Sequence, residues 1–265
     1  MTILVIGATG KTGRPVVEAL RARGMKVKAA SRSGEVRFDW ADRETWAPAL
    51  EGAEGAYIVG PYGEQDGAVL VGELLASAPE LRRVVLLSVL GADLLPGVVP
   101  MAAWERDVRA SGKEWTILRP NWFQQNFGEG FAPALCDEST LALPAGDAPV
   151  SFVDTRDIGE VAAAALTEDG HHGQTYVLTG PEALDHHQAL AILGPGLRYV
   201  ALTEEEFAGG LRRAGADDRV ITWQLGLFST IRDGENALVT DTVERVTGHP
   251  ARPLSAYADN LPVYG

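Results

Sequence analysis

Cysteine, basic charge and long apolar runs are all scarce in this chain of 265 residues. Cys136 is the only cysteine, which excludes an intrachain disulfide and a cysteine-based zinc site. Asp and Glu outnumber Lys and Arg by 36 to 23, giving a formal net charge of -13. This balance argues against nucleic acid or an anionic membrane as a partner, because phosphate groups attract clustered basic residues. No stretch approaches the roughly 20 apolar residues that span a bilayer, and no signal-like leader precedes the first strand, so we expect a cytoplasmic protein.

Two common catalytic motifs are missing as well. The Gly-x-Ser-x-Gly turn of many serine hydrolases does not occur, and neither does the H-E-x-x-H helix of zinc proteases. Four of the five histidines come as the adjacent pairs 171–172 and 186–187, and adjacent side chains do not point the same way. We therefore expect no metal site.

The most informative stretch is residues 1–13, where the apolar run from Ile3 to Ile6 is followed by Gly7, Gly10 and Gly13. Glycines at this spacing between a strand and a helix are typical of a dinucleotide-binding turn. The first permits the sharp turn, the second lets a pyrophosphate approach the backbone, and the third lets the helix pack on the strand. A nucleoside triphosphate loop is excluded, because its first glycine would fall at Val5, inside the strand. A structural turn without a ligand is the remaining alternative.

Strands and helices alternate along the first two thirds of the chain, as in a parallel sheet with crossover helices. We expect an α/β fold, a Rossmann-type doubly wound parallel sheet over residues 1–150, to which a late strand and helix within 151–179 return. After the first strand, the predicted strands cover 26–30, 36–40, 56–59, 83–87, 115–119 and 175–178. A smaller, mainly helical substrate-binding lobe is expected over 180–265, with a strand at 197–201 and helices at 185–193, 204–214, 219–231 and 241–247.

The carboxyl ends of the predicted strands should form one edge along which a dinucleotide lies. Arg32 ends the second strand between Ser31 and Ser33, where NAD-selective sites usually carry a carboxylate; a basic residue suits the 2′-phosphate of NADP(H) instead. NADP(H) is therefore the expected cofactor. Other residues predicted along this edge are Gly7, Asp39, Trp40, Gly60, Pro61 and Ser88.

The segment 121–127 joins three aromatic residues and four amides directly after a buried strand. We weigh two interpretations of it: a substrate wall that includes Asn121, or an aromatic plug beneath a long loop.

Ketone-reducing short-chain dehydrogenases generally carry Tyr-x-x-x-Lys on the helix predicted at 101–111, and this chain does not. An unactivated ketone needs such a proton donor, whereas an iminium carbon becomes a neutral amine when hydride arrives, and quinones are similarly undemanding. Ser88, Tyr62 or water could handle a proton. Glu105 could hold a substrate cation, although a helical glutamate is more often exposed.

The glycine turn with Ser31-Arg32-Ser33 resembles the NmrA-like branch of atypical short-chain dehydrogenases, which includes NADPH:quinone reductases and redox-sensing regulators. Segments at 38–46, 118–127, 202–207 and 246–250 resemble one subgroup more closely, the ergot-alkaloid reductases festuclavine synthase and agroclavine dehydrogenase. That subgroup reduces a cyclic iminium with NADPH and also lacks the Tyr-Lys pair. The resemblance implies that Thr9, Lys11 and Thr12 join the cofactor site, and that Trp122, Phe123 and Asn126 wall the substrate.

Four functions remain open at this stage. The first is an NADPH-dependent reductase of a C=N bond in a small specialised metabolite. The ergoline itself is not expected, because Ala103, Trp104 and Glu105 replace a basic and polar run of the fungal enzymes. The others are a quinone or activated-alkene reductase, a regulator that binds NADP(H) without turnover, and a non-redox enzyme on the same fold. The expected partner is a small-molecule substrate, and the sequence leaves the oligomeric state open.

Overall fold

The computed structural model describes residues 1–64, 66–93, 100–129 and 139–259. Cys136 and most of the predicted loop at 91–100 lie outside these ranges. Parallel strands in the order β3-β2-β1-β4-β5-β6-β8 form the main sheet. They are β1 (Thr2–Ile6), β2 (Lys26–Ser31), β3 (Val36–Arg37), β4 (Gly55–Val59), β5 (Arg83–Leu87), β6 (Glu114–Pro120) and β8 (Gln174–Leu178). This order, which reverses direction at β1, confirms the predicted doubly wound fold.

Helices follow most strands. In chain order they are α1 (Gly13–Ala22), α2 (Trp46–Leu50), α3 (Gly67–Ala76), α4 (Met101–Ala110), α5 (Asn126–Glu129), α6 (Thr155–Thr167), α7 (His186–Leu193), α8 (Glu204–Arg213), α9 (Asp218–Arg232), α10 (Thr242–Thr247) and α11 (Leu254–Ala258). Short 3-10 turns cover Arg43–Thr45 and Glu235–Ala237. Within the described ranges, no helix has both the length and the apolar character needed to cross a bilayer.

Both faces of the main sheet are buried, as expected for a parallel sheet. Along β1, Leu4 and Ile6 face a core completed by α2, α3 and α4. Ile3 and Val5 face the opposite core, which α1 and α6 cover. Helices α1 and α6 pack closely because Gly159 has no side chain: a Cβ there would lie 2.7 Å from the Pro15 carbonyl carbon.

A third core belongs to the lobe that follows the sheet. It is built around a two-stranded parallel sheet of β7 (Thr140–Leu143) and β9 (Arg198–Ala201). The sequence analysis did not predict β7 and placed its residues in the range of the first domain. The structure differs, because Leu141 and Leu143 pack with α7, α8 and α9. Helix α10 comes after the lobe in the chain but packs on the main sheet, because its Val243 is buried in the sheet's core beside α6.

His186, at the start of α7, is fully buried in the lobe core. Its ring stacks on Tyr199 with centroids 4.9 Å apart and meets the edge of Phe152 at 5.5 Å. Neither ring nitrogen has a hydrogen-bond partner among the described residues. Burial among aromatic rings lowers the pKa of His186 to about 4, so the ring is neutral at pH 7.

This histidine should make folding stability fall in mild acid. Between the pKa of an unfolded histidine, about 6.5, and the folded value, the unfolded state binds the extra proton, so stability decreases as pH falls through this window. We expect His186 to remove about 2 kcal/mol of unfolding free energy between about pH 7 and about pH 5. The measurement is urea unfolding of wild type and His186→Phe at both pH values.

His187→Gln is the matched control, because the side chain of His187, the next residue in the chain, is 60% exposed. It should retain the wild-type pH dependence, whereas His186→Phe should flatten it. An unchanged slope in His186→Phe would contradict the assignment.

Candidate active site

The turn after β1 has the geometry that its glycines predict. Gly7 adopts φ +80°, a conformation that side chains disfavour. The Gly10 amide donates to the Gly7 carbonyl at 2.9 Å and closes the turn. A Cβ on Gly13 would lie 2.0 Å from the same carbonyl oxygen, so only glycine allows α1 to start there. The start of α1, the positive end of its dipole, consequently faces the space beyond the strand, where an anion binds well.

That space is a cavity of about 690 Å³ along the carboxyl ends of the central strands. Nearly all the residues predicted for the cofactor and substrate line it, and contact with a bound ligand stays a prediction for each. They are Gly7, Thr9, Gly10, Lys11, Thr12, Ser31, Arg32, Ser33, Asp39, Trp40, Gly60, Pro61, Tyr62, Ser88, Asn121, Trp122, Phe123 and Asn126. Gly13 lies beneath the turn and Glu105 lies behind the wall, so neither lines the cavity.

One end of the cavity is built by β2 and the segment after β3. Arg32 is exposed there, and the buried Ser31 hydroxyl accepts the Ser33 amide at 3.3 Å, which shapes the strand end around Arg32. Trp40 is fixed by its indole N–H, which donates to the Val59 carbonyl at 3.1 Å. Arg32 and Trp40 thus both line the cavity, and a cation and a flat ring suit a phosphate and a base.

The other end is apolar and aromatic, and most of it comes from residues that the sequence analysis missed. Trp223, Leu227 and Thr230 line the cavity from one face of α9, at spacings of four and three residues. The ring of Trp223 lies over that of Tyr62, with centroids 6.1 Å apart. Trp122 stacks on Phe228 at 4.9 Å. Met101 and Asn236 complete the wall.

Hydrogen bonds of Asn121 join this wall to the sheet. Its side-chain amide donates to the Ser151 hydroxyl at 2.7 Å and to the Asn236 carbonyl at 2.8 Å. The Asn236 amide returns a hydrogen bond to the Asn121 side-chain oxygen at 2.7 Å. All three residues are buried. Asn121 therefore holds the lobe against the end of β6 and has its amide donors already in use.

The amide cluster at 121–127 divides between two tasks. Asn126 accepts a hydrogen bond from Lys11 at 2.8 Å, so it lies at the glycine turn rather than deep in the aromatic end. Gln124 is buried and donates to the carbonyls of Phe152 and Arg252. Phe127 packs on Phe152 in the lobe core. Some residues of this segment thus line the cavity and others support it, and the substrate wall stays a prediction.

Glu105 differs from the expectation of an exposed helical glutamate. It is only 1% exposed, and its carboxylate accepts hydrogen bonds from Arg119 at 2.8 Å and from Arg109 at 2.9 Å. These arginines and the Ser88 hydroxyl outweigh burial and hold the pKa of Glu105 below its usual value. With both oxygens occupied behind the wall, this carboxylate does not face a substrate cation.

Ser88 directly follows β5 and lines the cavity in front of Glu105. Its hydroxyl donates to Glu105 at 2.6 Å, so its proton points away from the cavity. Tyr62, the phenol on the wall, contacts the rings of Trp104 and Trp223, and nothing in its described contacts lowers its pKa toward neutral. The described wall therefore offers no strong proton donor near Ser88.

The glycine turn, the strand order and the cavity define a Rossmann-type dinucleotide-binding protein. A family model described as NAD(P)H-binding matches residues 7–169. The chain belongs to this NAD(P)H-binding family, and the expected nicotinamide dinucleotide is confirmed at that level.

Relatives match along almost the whole chain. Agroclavine dehydrogenase of Claviceps fusiformis is 29% identical over 100% of this chain and 99% of its own length, which confirms the resemblance found in the sequence. The (4-alkanoyl-5-oxo-2,5-dihydrofuran-3-yl)methyl phosphate reductase of Streptomyces griseus is 33% identical over 95% of each chain. The fold matches an NADPH-dependent quinone oxidoreductase from Escherichia coli in complex with NADPH, with a TM-score of 0.78 and 24% identity over 97% of this chain and 98% of the other. Together they support an NAD(P)H-dependent oxidoreductase.

Arg32 tests the preference for a phosphorylated cofactor. Arg32→Ala should weaken NADPH binding about ten- to a hundredfold, because a charge-assisted hydrogen bond to phosphate is lost, and should leave NADH almost unchanged. Fluorescence titration with both cofactors measures this. Arg37→Ala is the control, since that exposed arginine on β3 pairs with Asp42. Equal losses for NADPH and NADH would contradict the role of Arg32.

Gly13 tests the turn itself. Gly13→Ala would force its Cβ against the Gly7 carbonyl, so we expect α1 to shift, cofactor affinity to fall at least tenfold, and the melting temperature to drop by several degrees. Gly209→Ala in α8 is the control, because its Cβ would meet only the flexible Arg213 end at 3.4 Å. Normal cofactor affinity in Gly13→Ala would contradict the assignment.

Proposed function

We propose that this protein is an NADPH-dependent reductase that delivers hydride to the C=N bond of a planar small metabolite. The observation that carries the proposal is the junction at Ser88. There a dinucleotide edge meets an aromatic pocket, and neither Ser88 nor Tyr62 is a strong proton donor toward it. A protein that only sensed the dinucleotide would not need such a pocket.

The residues present suit an NADP(H) molecule. Arg32 would hold the 2′-phosphate, and the turn at Gly7, Gly10 and Gly13, with the start of α1, would hold the pyrophosphate. Ser88 and Gly60 lie where the nicotinamide would meet the substrate. When bound, the reduced nicotinamide supplies the hydride. The chain supplies binding, orientation and exclusion of water.

A C=N bond suits this wall better than a ketone does. A ketone would become an alkoxide and need a proton at once, whereas an iminium becomes a neutral amine. Trp122, Trp223 and Tyr62 would hold a flat substrate by its faces, and aromatic rings also attract a cation. Because Arg119 and Arg109 already pair with the Glu105 carboxylate, these rings would serve as the partner of a substrate cation in its place.

A quinone is the second candidate substrate. It is favoured because the described residues at the aromatic end include no unpaired buried carboxylate, and a neutral flat acceptor needs no counter-charge. The phenolate formed by hydride transfer is stabilised by resonance, so this reaction also proceeds without a strong acid.

NADPH oxidation should separate these possibilities. The substrates are an N-methyl cyclic iminium, the matching protonatable imine, a small quinone and a simple ketone. We expect turnover of the iminium and none of the ketone. With no acid from the protein, kcat/KM for the protonatable imine should fall about tenfold per pH unit above the substrate's own pKa, while the N-methyl iminium stays flat.

Three results would decide against the proposal. Quinone turnover far above that of both C=N substrates would favour the second candidate. Turnover of the ketone would reveal a proton donor. Tight NADPH binding without turnover of any substrate would reject a reductase of these classes.

A further inference from the structure

The contacts of Glu105 fix the hydrogen-bonding role of Ser88. We propose that Glu105 is a positioning residue that holds Ser88 as a hydrogen-bond acceptor toward the cavity, and that Ser88 accepts an N–H of the nicotinamide carboxamide. The inference depends on binding of the dinucleotide and not on which bond is reduced.

A hydroxyl has one proton and two lone pairs. The Ser88 proton is directed to Glu105 at 2.6 Å, so only lone pairs remain for a ligand. Ser88 is held at the wall by its amide as well, which donates to the Leu118 carbonyl at 2.8 Å. The hydroxyl therefore presents an acceptor at a fixed position.

The hydrogen bond from Ser88 to Glu105 is not easily broken, because three hydrogen bonds from arginines fix the position of the Glu105 carboxylate. Arg119 donates through Nε to one carboxylate oxygen and through a terminal nitrogen to the other, both at 2.8 Å. Arg109, one helical turn along α4, adds a bond of 2.9 Å to the second oxygen. A paired and buried carboxylate of this kind stays charged and stays an acceptor.

The position of Ser88 indicates which group of the cofactor would donate a hydrogen bond to it. The glycine turn follows β1 and Arg32 follows β2, so a dinucleotide running from Arg32 past the turn continues toward the ends of β4 and β5. Ser88 directly follows β5, beside the aromatic pocket where the proposed hydride transfer would take place. On the nicotinamide ring, the carboxamide is the substituent that carries N–H donors. An acceptor at the wall matches these N–H donors, whereas a donor would bind the carboxamide oxygen instead.

Two oxidised cofactors separate this contact from general binding. NADP⁺ carries the carboxamide, and its acetylpyridine analogue has a methyl ketone of similar size without an N–H. Wild type should bind NADP⁺ about three- to tenfold more tightly than the analogue, the effect of one neutral hydrogen bond. Calorimetric titration of wild type, Ser88→Ala and Glu105→Asp measures this ratio.

Ser88→Ala should bring the ratio close to one. Glu105→Asp keeps the charge that the arginines need but withdraws the carboxylate from Ser88, so it should also bring the ratio close to one. Glu105→Gln is the second variant if Glu105→Asp does not fold. Since each ratio compares two ligands on the same protein, a loss of stability that weakens both alike leaves it unchanged.

Asp157→Asn is the control for the loss of a buried carboxylate. Asp157 is fully buried and accepts the Arg252 amide at 2.8 Å, away from the cavity wall. It should keep the wild-type ratio even if it lowers stability. A wild-type ratio near one would overturn the contact with the carboxamide. A ratio lost in Ser88→Ala but kept in both Glu105 variants would overturn the positioning role.

Discussion

The approach of helix α1 to the end of β1 is the constraint on which the rest of the site depends. Gly13 starts the helix where any side chain would strike the Gly7 carbonyl. With the helix this close, its N-terminal end lies at the sheet edge, beside the ends of β2, β4, β5 and β6. The cavity is thus a product of backbone packing, to which side chains such as Arg32 and Trp40 add selectivity.

Acidic residues outnumber basic ones, yet the buried carboxylates that the structure describes are held by arginine. Glu105 lies between Arg119 and Arg109, and one oxygen of Asp154 accepts from the Arg156 guanidinium at 2.6 and 3.1 Å. Burying a lone charge would be costly, and removing one partner of such a pair typically destabilises by about 3–5 kcal/mol. These pairs fix strand ends and helix starts, and they balance the buried negative charges locally. The net negative charge of the chain is therefore compatible with an apolar, aromatic end of the cavity.

The sequence predicts the first half of the site well because its signals are local. The glycine spacing requires a turn, and Arg32 follows from its distance along the chain. Glu105, Trp223 and β7 could not be foreseen in the same way. The burial of Glu105 depends on Arg119 from another element, α9 shows only a helical apolar face with no indication of what it covers, and β7 is four residues long. In each case long-range packing decides, and a local pattern does not encode it.

The buried hydrogen bonds among Asn121, Ser151 and Asn236 bear on how a ligand enters. They join the lobe to the sheet at the wall of the cavity itself, and separating the two would break three buried hydrogen bonds, each worth about 0.5–1.5 kcal/mol. Hinge opening between lobe and sheet is therefore disfavoured. The width of the cavity is held by bonds within the protein, which favours entry of a ligand into a standing shape over closure of the lobe around it.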